Sequence, residues 1–170
     1  MIWKSSYELE LRKEGKAVFY SPKMPERRNF APTSLPVFFN PFSKPNRDMT
    51  VLFLAARFEG LKIRVCDALA GTGVRSIRIL LETDVADEVT ANDISPMACE
   101  LMKMNIELNR LGELIEVTCM DANALLAECG TERPKYHYVD IDPAGSPAQF
   151  IENGIRGCKR GGVISATATD

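Results

Sequence analysis

"IRVCDALAGTGVRSIRILLE", residues 63 to 82, decides the fold. "IRVCDAL" is a short apolar run ending near an acid, and "VRSIRILLE" spaces its aliphatic residues as a helix does. Between them, Gly71 and Gly73 permit a tight turn and let backbone approach a ligand at the start of the helix. Strand, glycine turn and helix in immediate succession form the opening unit of a doubly wound sheet.

Toward the C-terminus the same rhythm repeats. "DEVTAND" reads as a strand and "SPMACELMKMNIELNRL" as a long helix, with Ser95 as N-cap and Pro96 at its first position. "IEVTCM" is a strand, "ANALLAEC" a short helix, "YHYVDI" a strand, "SPAQFIENGIRGC" a helix and "GVISATATD" a strand. Five strands with four intervening helices predict an α/β protein with a doubly wound, mostly parallel sheet.

Toward the N-terminus the pattern differs. "SYELELRKEGKAVFYSP" alternates around Gly15 and predicts a hairpin. "MPERRNFAPTSLPVFFNPFSKP" holds five of the ten prolines and predicts a long ordered loop, whose Phe30, Val37, Phe38, Phe39 and Phe42 need a surface to pack on. "NRDMTVLFLAARFEG" predicts a helix with Asn46 as N-cap and Gly60 past its end. The chain therefore divides at residue 62, into an extension (1–62) and an alternating core (63–170).

At 170 residues and 45% hydrophobic content the chain is one domain long and can bury a sizeable core. No apolar run approaches the roughly 20 residues of a membrane span. The first residues lack the apolar stretch of a secretion signal. The five cysteines, at 66, 99, 119, 129 and 158, form no C-x-x-C pair. They read as reduced thiols of a cytoplasmic protein, with no metal site and no disulfide framework. The net charge of −2 conceals an asymmetry: residues 1–64 carry +6 and residues 65–170 carry −8. A basic segment with Lys23, Arg27, Arg28 and Lys44 among aromatic residues suits a polyanion. A solvated lysine-rich edge is the plainer alternative.

Ligands of such sheets bind beyond the carboxyl ends of the strands. Acids fall there four times: Asp67, Asp93, Asp121, and the pair Asp140 and Asp142. Ser76 stands where a dinucleotide fingerprint has its third glycine, which disfavours NAD. Asp93 can accept from both hydroxyls of a ribose. Asp121 can accept from the amino group of adenine while the N–H of Ala122 serves a ring nitrogen. Singly, these are a tight turn and two helix caps; together they describe a nucleoside trough. In "DIDPAGSP", Pro143 stops the strand and stiffens the loop, so that Asp142 faces the cleft or caps the next helix. An amine on an aromatic ring is a poor nucleophile, because its lone pair is delocalised. A carboxylate accepting its N–H aligns that lone pair and relieves charge during attack. His137, mid-strand, reads as a packed or edge histidine.

The stretches "EGKAVFY", "VFFNPFSKPNRD", "DALAGTGVRSIR", "ANDISPMACELMKMNIELN", "DANALL", "DIDPAGSP" and "ATATD" run in order through nearly the whole chain. They resemble the class I S-adenosylmethionine-dependent methyltransferases and, more narrowly, the tRNA guanine-26 N2-dimethyltransferase family. That resemblance implies a Rossmann-like fold, S-adenosyl-L-methionine as cofactor, and tRNA as substrate, methylated once or twice at the exocyclic N2 of guanosine 26. It implies no membrane and no obligatory protein partner. Carried over by position, Arg47 and Arg75 hold the methionine carboxylate, and Asp67, Gly71, Gly73, Asp93, Asp121 and Ala122 hold the rest of the cofactor. Asp142 with Pro143 is the catalytic tip, and Phe38 stacks on the target base. The sequence departs from the family at Ala144, where relatives carry Phe or Tyr. It also stops at Asp170, where the family continues into further strands and an RNA-binding domain, so the resemblance implies an N-terminal catalytic portion. Residues 1–62 would then contribute RNA and cofactor contacts, and residues 63–170 an incomplete cofactor-binding core. The alternatives are transfer to another exocyclic or amide amine, such as adenine N6 or a protein glutamine, and a cofactor- or RNA-binding module without turnover.

Overall fold

A computed structural model of the chain describes residues 7–24 and 32–168. The hairpin forms as β1 (Leu9–Glu14) and β2 (Ala17–Pro22), turning at Gly15 with φ +56°. Two 3-10 turns, Pro32–Ser34 and Pro41–Ser43, lead into α1 (Lys44–Arg57). The alternating region follows as β3 (Ile63–Asp67), α2 (Val74–Glu82), β4 (Ala86–Asn92), α3 (Pro96–Leu108), β5 (Ile115–Thr118), α4 (Ala122–Ala127), β6 (Tyr136–Ile141), α5 (Ala148–Gly157) and β7 (Cys158–Ala166). Arg27, Arg28 and Phe30 lie outside the described residues.

The five core strands are all parallel and stand in the order β5-β4-β3-β6-β7. The chain starts in the middle, builds outward through β4 and β5, then returns to the other side of β3. That reversal lies between β3 and β6, so their carboxyl ends open the crevice in which such sheets hold ligands. Alternate residues of the strands serve two cores. Val65 and Tyr138 pack with α2, α3, α1 and the hairpin, whereas Cys66, Val139 and Ile141 pack with α4 and α5.

Two asparagines one helical turn apart, Asn105 on α3 and Asn109 at its C-cap, dock the hairpin. Asn109 accepts from Val18 N at 3.1 Å and donates to Val18 O at 2.6 Å. Asn105 accepts from Tyr20 N at 2.7 Å and donates to Tyr20 O at 3.0 Å. Each side-chain amide thus takes the place of a peptide in the next strand. Asn105 also donates to Thr72 O at 2.9 Å, which ties the hairpin to the glycine turn. The described residues before and after residue 62 share one apolar core, in which Ala17, Phe19 and Phe39 meet Val74, Ile77 and Met102.

Two local expectations are corrected. Asn46 is not an N-cap, because α1 begins two residues earlier with Pro45 in its first turn, where a missing N–H costs nothing. Its side chain instead donates to Thr167 Oγ1 at 3.1 Å, joining α1 to the end of β7. The last strand begins at Cys158 rather than Gly162, running directly from the end of α5. The cap at Ser95 is as expected, accepting from Ala98 N. Among the described residues no helix is long and apolar enough to cross a membrane.

Candidate functional site

The glycine turn is shaped by what approaches it. Gly71 has φ +55°, and a β-carbon there would stand 2.7 Å from the carbonyl oxygen of Phe38. Gly73 caps α2 at φ +76°, and a β-carbon there would meet Met102 Cγ at 3.0 Å. The turn therefore receives both the N-terminal segment and α3 at close range. Ser76, in place of a third glycine, donates to Asp67 Oδ2 at 2.9 Å.

Asp93 and Asp121 flank this turn at the ends of neighbouring strands. Asp93 Oδ2 accepts from Gly71 N at 3.0 Å and its Oδ1 from Ser95 N at 2.9 Å. Asp121 caps α4, accepting from Asn123 N at 2.9 Å and Ala124 N at 3.1 Å. The helix-cap reading of Asp121 is thus realised, while Asp93 holds the glycine turn. Asp93 is half-buried, Asp121 exposed, and Ala122 buried beside it. Asn92, unnoticed in the sequence, joins the three strand ends. It donates to Ala68 O and Met120 O, both at 3.0 Å, and accepts from Thr118 Oγ1 at 2.8 Å.

Arg75 is the centre of the deeper part. Its guanidinium contacts Asp142 Oδ2, lies 3.4 Å from Asp140 Oδ1, and donates to Thr50 Oγ1 at 2.7 Å. Tyr138 donates to Asp140 Oδ2 at 2.6 Å. Asp67, Asp140 and Asp142 thus converge on one cation, the first two fully enclosed. Burial pushes the Asp67 carboxyl up to about 7; Arg75 opposes this and Asp140 reinforces it. Asp140 is likewise raised, first by burial and against the pull of Arg75. Burial thus favours the neutral form of Asp67 and of Asp140. Asp142 does not cap α5, whose N-cap is Pro147 with no side-chain bond.

Arg47 belongs to a second buried network. It grips Glu14 through Nε at 2.7 Å and Nη2 at 2.6 Å, and donates to Asn40 O at 3.2 Å. Arg78 donates to the same Glu14 at 2.8 Å and also pairs with Glu82 and Asp48. Burial alone would raise the Glu14 carboxyl, but Arg47 and then Arg78 bring it below the usual range. Both arginines expected to meet a carboxylate therefore already hold carboxylates of the chain itself.

Phe38, Arg47, Asp67, Arg75 and Asp142 line one cavity of about 40 Å³. Phe38 is half-buried at its wall, whereas Phe39 turns into the core, 5.4 Å from Phe19 in an edge-on pair. Pro143 is half-buried and Ala144 exposed at the strand tip. His137 lies away from this cavity: its Nδ1 accepts from Arg64 N at 2.9 Å and its Nε2 faces Lys159 Nζ at 3.2 Å. Lys23 and Lys44, counted in the basic footprint, are paired with Glu8 and Asp48.

The arrangement can bind a nucleoside along the strand ends, grip an anion with its arginines and present one carboxylate to a planar amine. Comparison with known proteins points the same way. The model of a family described as N2,N2-dimethylguanosine tRNA methyltransferase matches residues 12–170. A tRNA (guanine(26)-N(2))-dimethyltransferase of Pyrobaculum arsenaticum is 46% identical over 160 residues, 94% of this chain and 43% of that protein. A tRNA (guanine(26)-N(2)/guanine(27)-N(2))-dimethyltransferase of Aquifex aeolicus is 41% identical, over 95% of this chain and 41% of its own length. The solved structure of Trm1 from Pyrococcus horikoshii with S-adenosyl-L-methionine is 40% identical and superposes with a TM-score of 0.81, covering 95% of this chain and 43% of that one. The chain spans less than half the length of these relatives.

Proposed function

Because the chain belongs to the N2,N2-dimethylguanosine tRNA methyltransferase family, we propose that it carries S-adenosylmethionine-dependent methyl transfer to the exocyclic N2 of guanosine 26 in tRNA, once and then again. The observation that carries this reading is the cavity shared by Phe38, Arg75 and Asp142, with Asp93 bonded to Gly71 N in the glycine turn that adjoins it. The donor set fits the cofactor. Asp93 suits ribose hydroxyls, Asp121 with the Ala122 N–H suits adenine, and Gly71 and Gly73 give backbone room beside the sugar. Arg47 and Arg75 suit the methionine carboxylate, Asp67 supporting Arg75 from behind.

When bound, S-adenosylmethionine supplies a methyl group on a sulfonium, whose sulfur leaves as a neutral thioether. The residues position and orient. Phe38 offers a flat face to a guanine that has left its stack. Asp142, with its approach fixed by Pro143, accepts the N–H of the exocyclic amine, aligns its lone pair and takes up the charge that develops on nitrogen. The cavity is small while Arg75 holds Asp142 and Arg47 holds Glu14. An entering carboxylate would take over these guanidiniums and release Asp142 toward substrate.

In this reading residues 1–62 contribute RNA and cofactor contacts, residues 63–170 form the cofactor core, and the protein works in the cytoplasm on tRNA without an obligatory protein partner. The test is cofactor titration by calorimetry, then methylation of an unmodified tRNA transcript with nucleoside analysis. Expected products are N2-methyl- and N2,N2-dimethylguanosine at position 26, absent from a transcript with adenosine there. Cofactor binding without product would favour a binding module; methylation of adenine or of protein glutamine would replace the substrate.

A further inference from the structure

The ladder between β6 and β7 contains an excursion. Tyr136 pairs with Cys158 and Tyr138 with Val163, so His137 alone stands opposite the whole of residues 159–162. Gly161 turns the excursion at φ +80°. Lys159 and Arg160 project from it, exposed, and with Lys135 just before β6 they line a cavity of about 430 Å³. Among the described residues none of these three cations has a carboxylate at ion-pair distance, whereas Arg75, Arg78, Arg133 and Arg156 of the same core all do.

The contact between His137 and Lys159 cannot be satisfied by the two groups that make it. His137 Nδ1 accepts from Arg64 N at 2.9 Å, so the neutral ring carries its proton on Nε2. That N–H faces Lys159 Nζ at 3.2 Å. A lysine ammonium has three donors and no acceptor, so two donors point at each other. Burial, then Lys159 and Arg64, push the imidazole below its ordinary value and keep it neutral. Glu88, the carboxylate partner of Arg64, is spent on that guanidinium at 2.7 and 2.8 Å. An acceptor placed between Nε2 and Nζ would satisfy both.

We propose that His137, Lys159, Lys135 and Arg160 form a phosphate-binding notch at the start of β6 and β7, and that its ligand is a phosphodiester group of tRNA. The notch stands on the geometry alone; tRNA as the source of the phosphate rests on the function proposed above. One phosphate oxygen accepts from both Nε2–H and Nζ–H, while Lys135 and the planar fork of Arg160 meet the others. The notch lies at the far end of β6 from Asp142, about 20 Å away along six residues of strand. A contact there reads no base; it fixes how the RNA lies relative to the catalytic tip. In a core that carries −8 overall, it also gives a polyanion a preferred side from which to approach. Free phosphate has the same chemistry and would compete.

His137 is the chain's only histidine, so its ring signals in NMR are unambiguous. The first arm titrates the ring in chloride and then in inorganic sulfate at equal ionic strength. Its apparent pKa should rise by about half a pH unit or more and saturate with sulfate, because a seated anion favours the imidazolium. Lys159→Gln should remove that saturating rise. The second arm measures binding of an unmodified tRNA transcript. Changing Lys135, Lys159 and Arg160 together to Glu should weaken it at least about tenfold and flatten its salt dependence by roughly one to three phosphate contacts. S-adenosylmethionine affinity, by calorimetry, should be unchanged. No sulfate response in the parent, or an equal response in Lys159→Gln, would overturn the notch. A sulfate response with parental tRNA affinity in the triple variant would assign the notch to free phosphate and overturn the RNA half. A parent that binds no tRNA, its sulfate response intact, would overturn the function proposed above and leave the anion site standing.

Discussion

The carbonyl oxygen of Phe38 occupies the space that a side chain on Gly71 would need. A β-carbon at that position would stand 2.7 Å from it, and the φ of +55° disfavours any L side chain besides. The residue proposed to stack on substrate and the turn proposed to cradle the cofactor are thus fixed by one backbone contact. Both neighbours are backbone, so neither can swing aside.

Gly71→Ala should destabilise the chain by roughly 2–4 kcal/mol, from left-handed strain plus overpacking. Gly60→Ala is the control. It has a similar φ of +73° but nothing within 4 Å of the added carbon, so roughly 1–2 kcal/mol of strain remains. Urea denaturation of both variants checks this. Equal losses would mean that the Phe38 contact yields freely.

Asn105→Leu should cost more than Asn109→Leu. The first leaves Tyr20 N, Tyr20 O and Thr72 O without their partner. At roughly 1–3 kcal/mol for the buried Thr72 O left unpaired, and less for each group of half-buried Tyr20, the loss is a large part of the stability of a small domain. Asn109 is half-buried, so water can replace part of what it gives Val18. Thermal denaturation should rank the two variants in that order, and the reverse ranking would refute the bridging role given to Asn105.

The raised Asp67 carboxyl carries a definite pH signature. Its pKa of about 7 in the folded chain exceeds the ordinary unfolded value of about 4. Between these values the folded state binds more protons than the unfolded one, so this group's contribution to stability falls as pH rises toward 7. Glu14, held below its usual range by Arg47 and Arg78, acts oppositely: its contribution is lost as pH falls into the acid range. Asp67→Asn keeps an acceptor for Ser76 but cannot titrate. Its unfolding free energy should decline less than the parent's between about pH 4 and about pH 7, by a difference on the order of 3 kcal/mol. Identical pH profiles would place the proton elsewhere.

Asp142→Asn should lower kcat for tRNA by about a hundredfold or more, the usual scale for a lost general base. Cofactor affinity should not fall, because Asp142 competes with the entering carboxylate for Arg75 and touches none of the residues given to ribose or adenine. Steady-state kinetics with calorimetry separates the two effects. Parental turnover in the variant would remove Asp142 from the mechanism.

The sheet was legible because its signals are local. Acid-tipped strands, the glycine turn and the Ser95-Pro96 helix start each lie within a few residues, and β6 spans the residues read for it. Asp67 and Asp142 meet in one cavity because the ends of neighbouring strands β3 and β6 share an edge, and Phe38, Arg47 and Arg75 reach it from the N-terminal segment, α1 and α2. The partners of the arginines were not legible. Glu14 lies 33 residues from Arg47 and 64 from Arg78, and no periodicity connects them. Asn46 misled because Asn before an apolar run commonly caps, while Pro45 let α1 start earlier. Asn105 and Asn109 do carry the spacing of one helical turn.

The asparagine ladder on α3 also bears on self-association. A two-stranded hairpin ordinarily presents rows of open N–H and C=O groups that invite another chain to add a strand. Here one margin of β2 is paired with β1, and the other is met by amide side chains at Val18 and Tyr20. These groups end the pattern instead of extending it, because a side-chain amide has no second peptide edge to offer. The hairpin is thereby closed to fibril-like growth on that margin, without a charged or proline gatekeeper on β2 between Ala17 and Ser21.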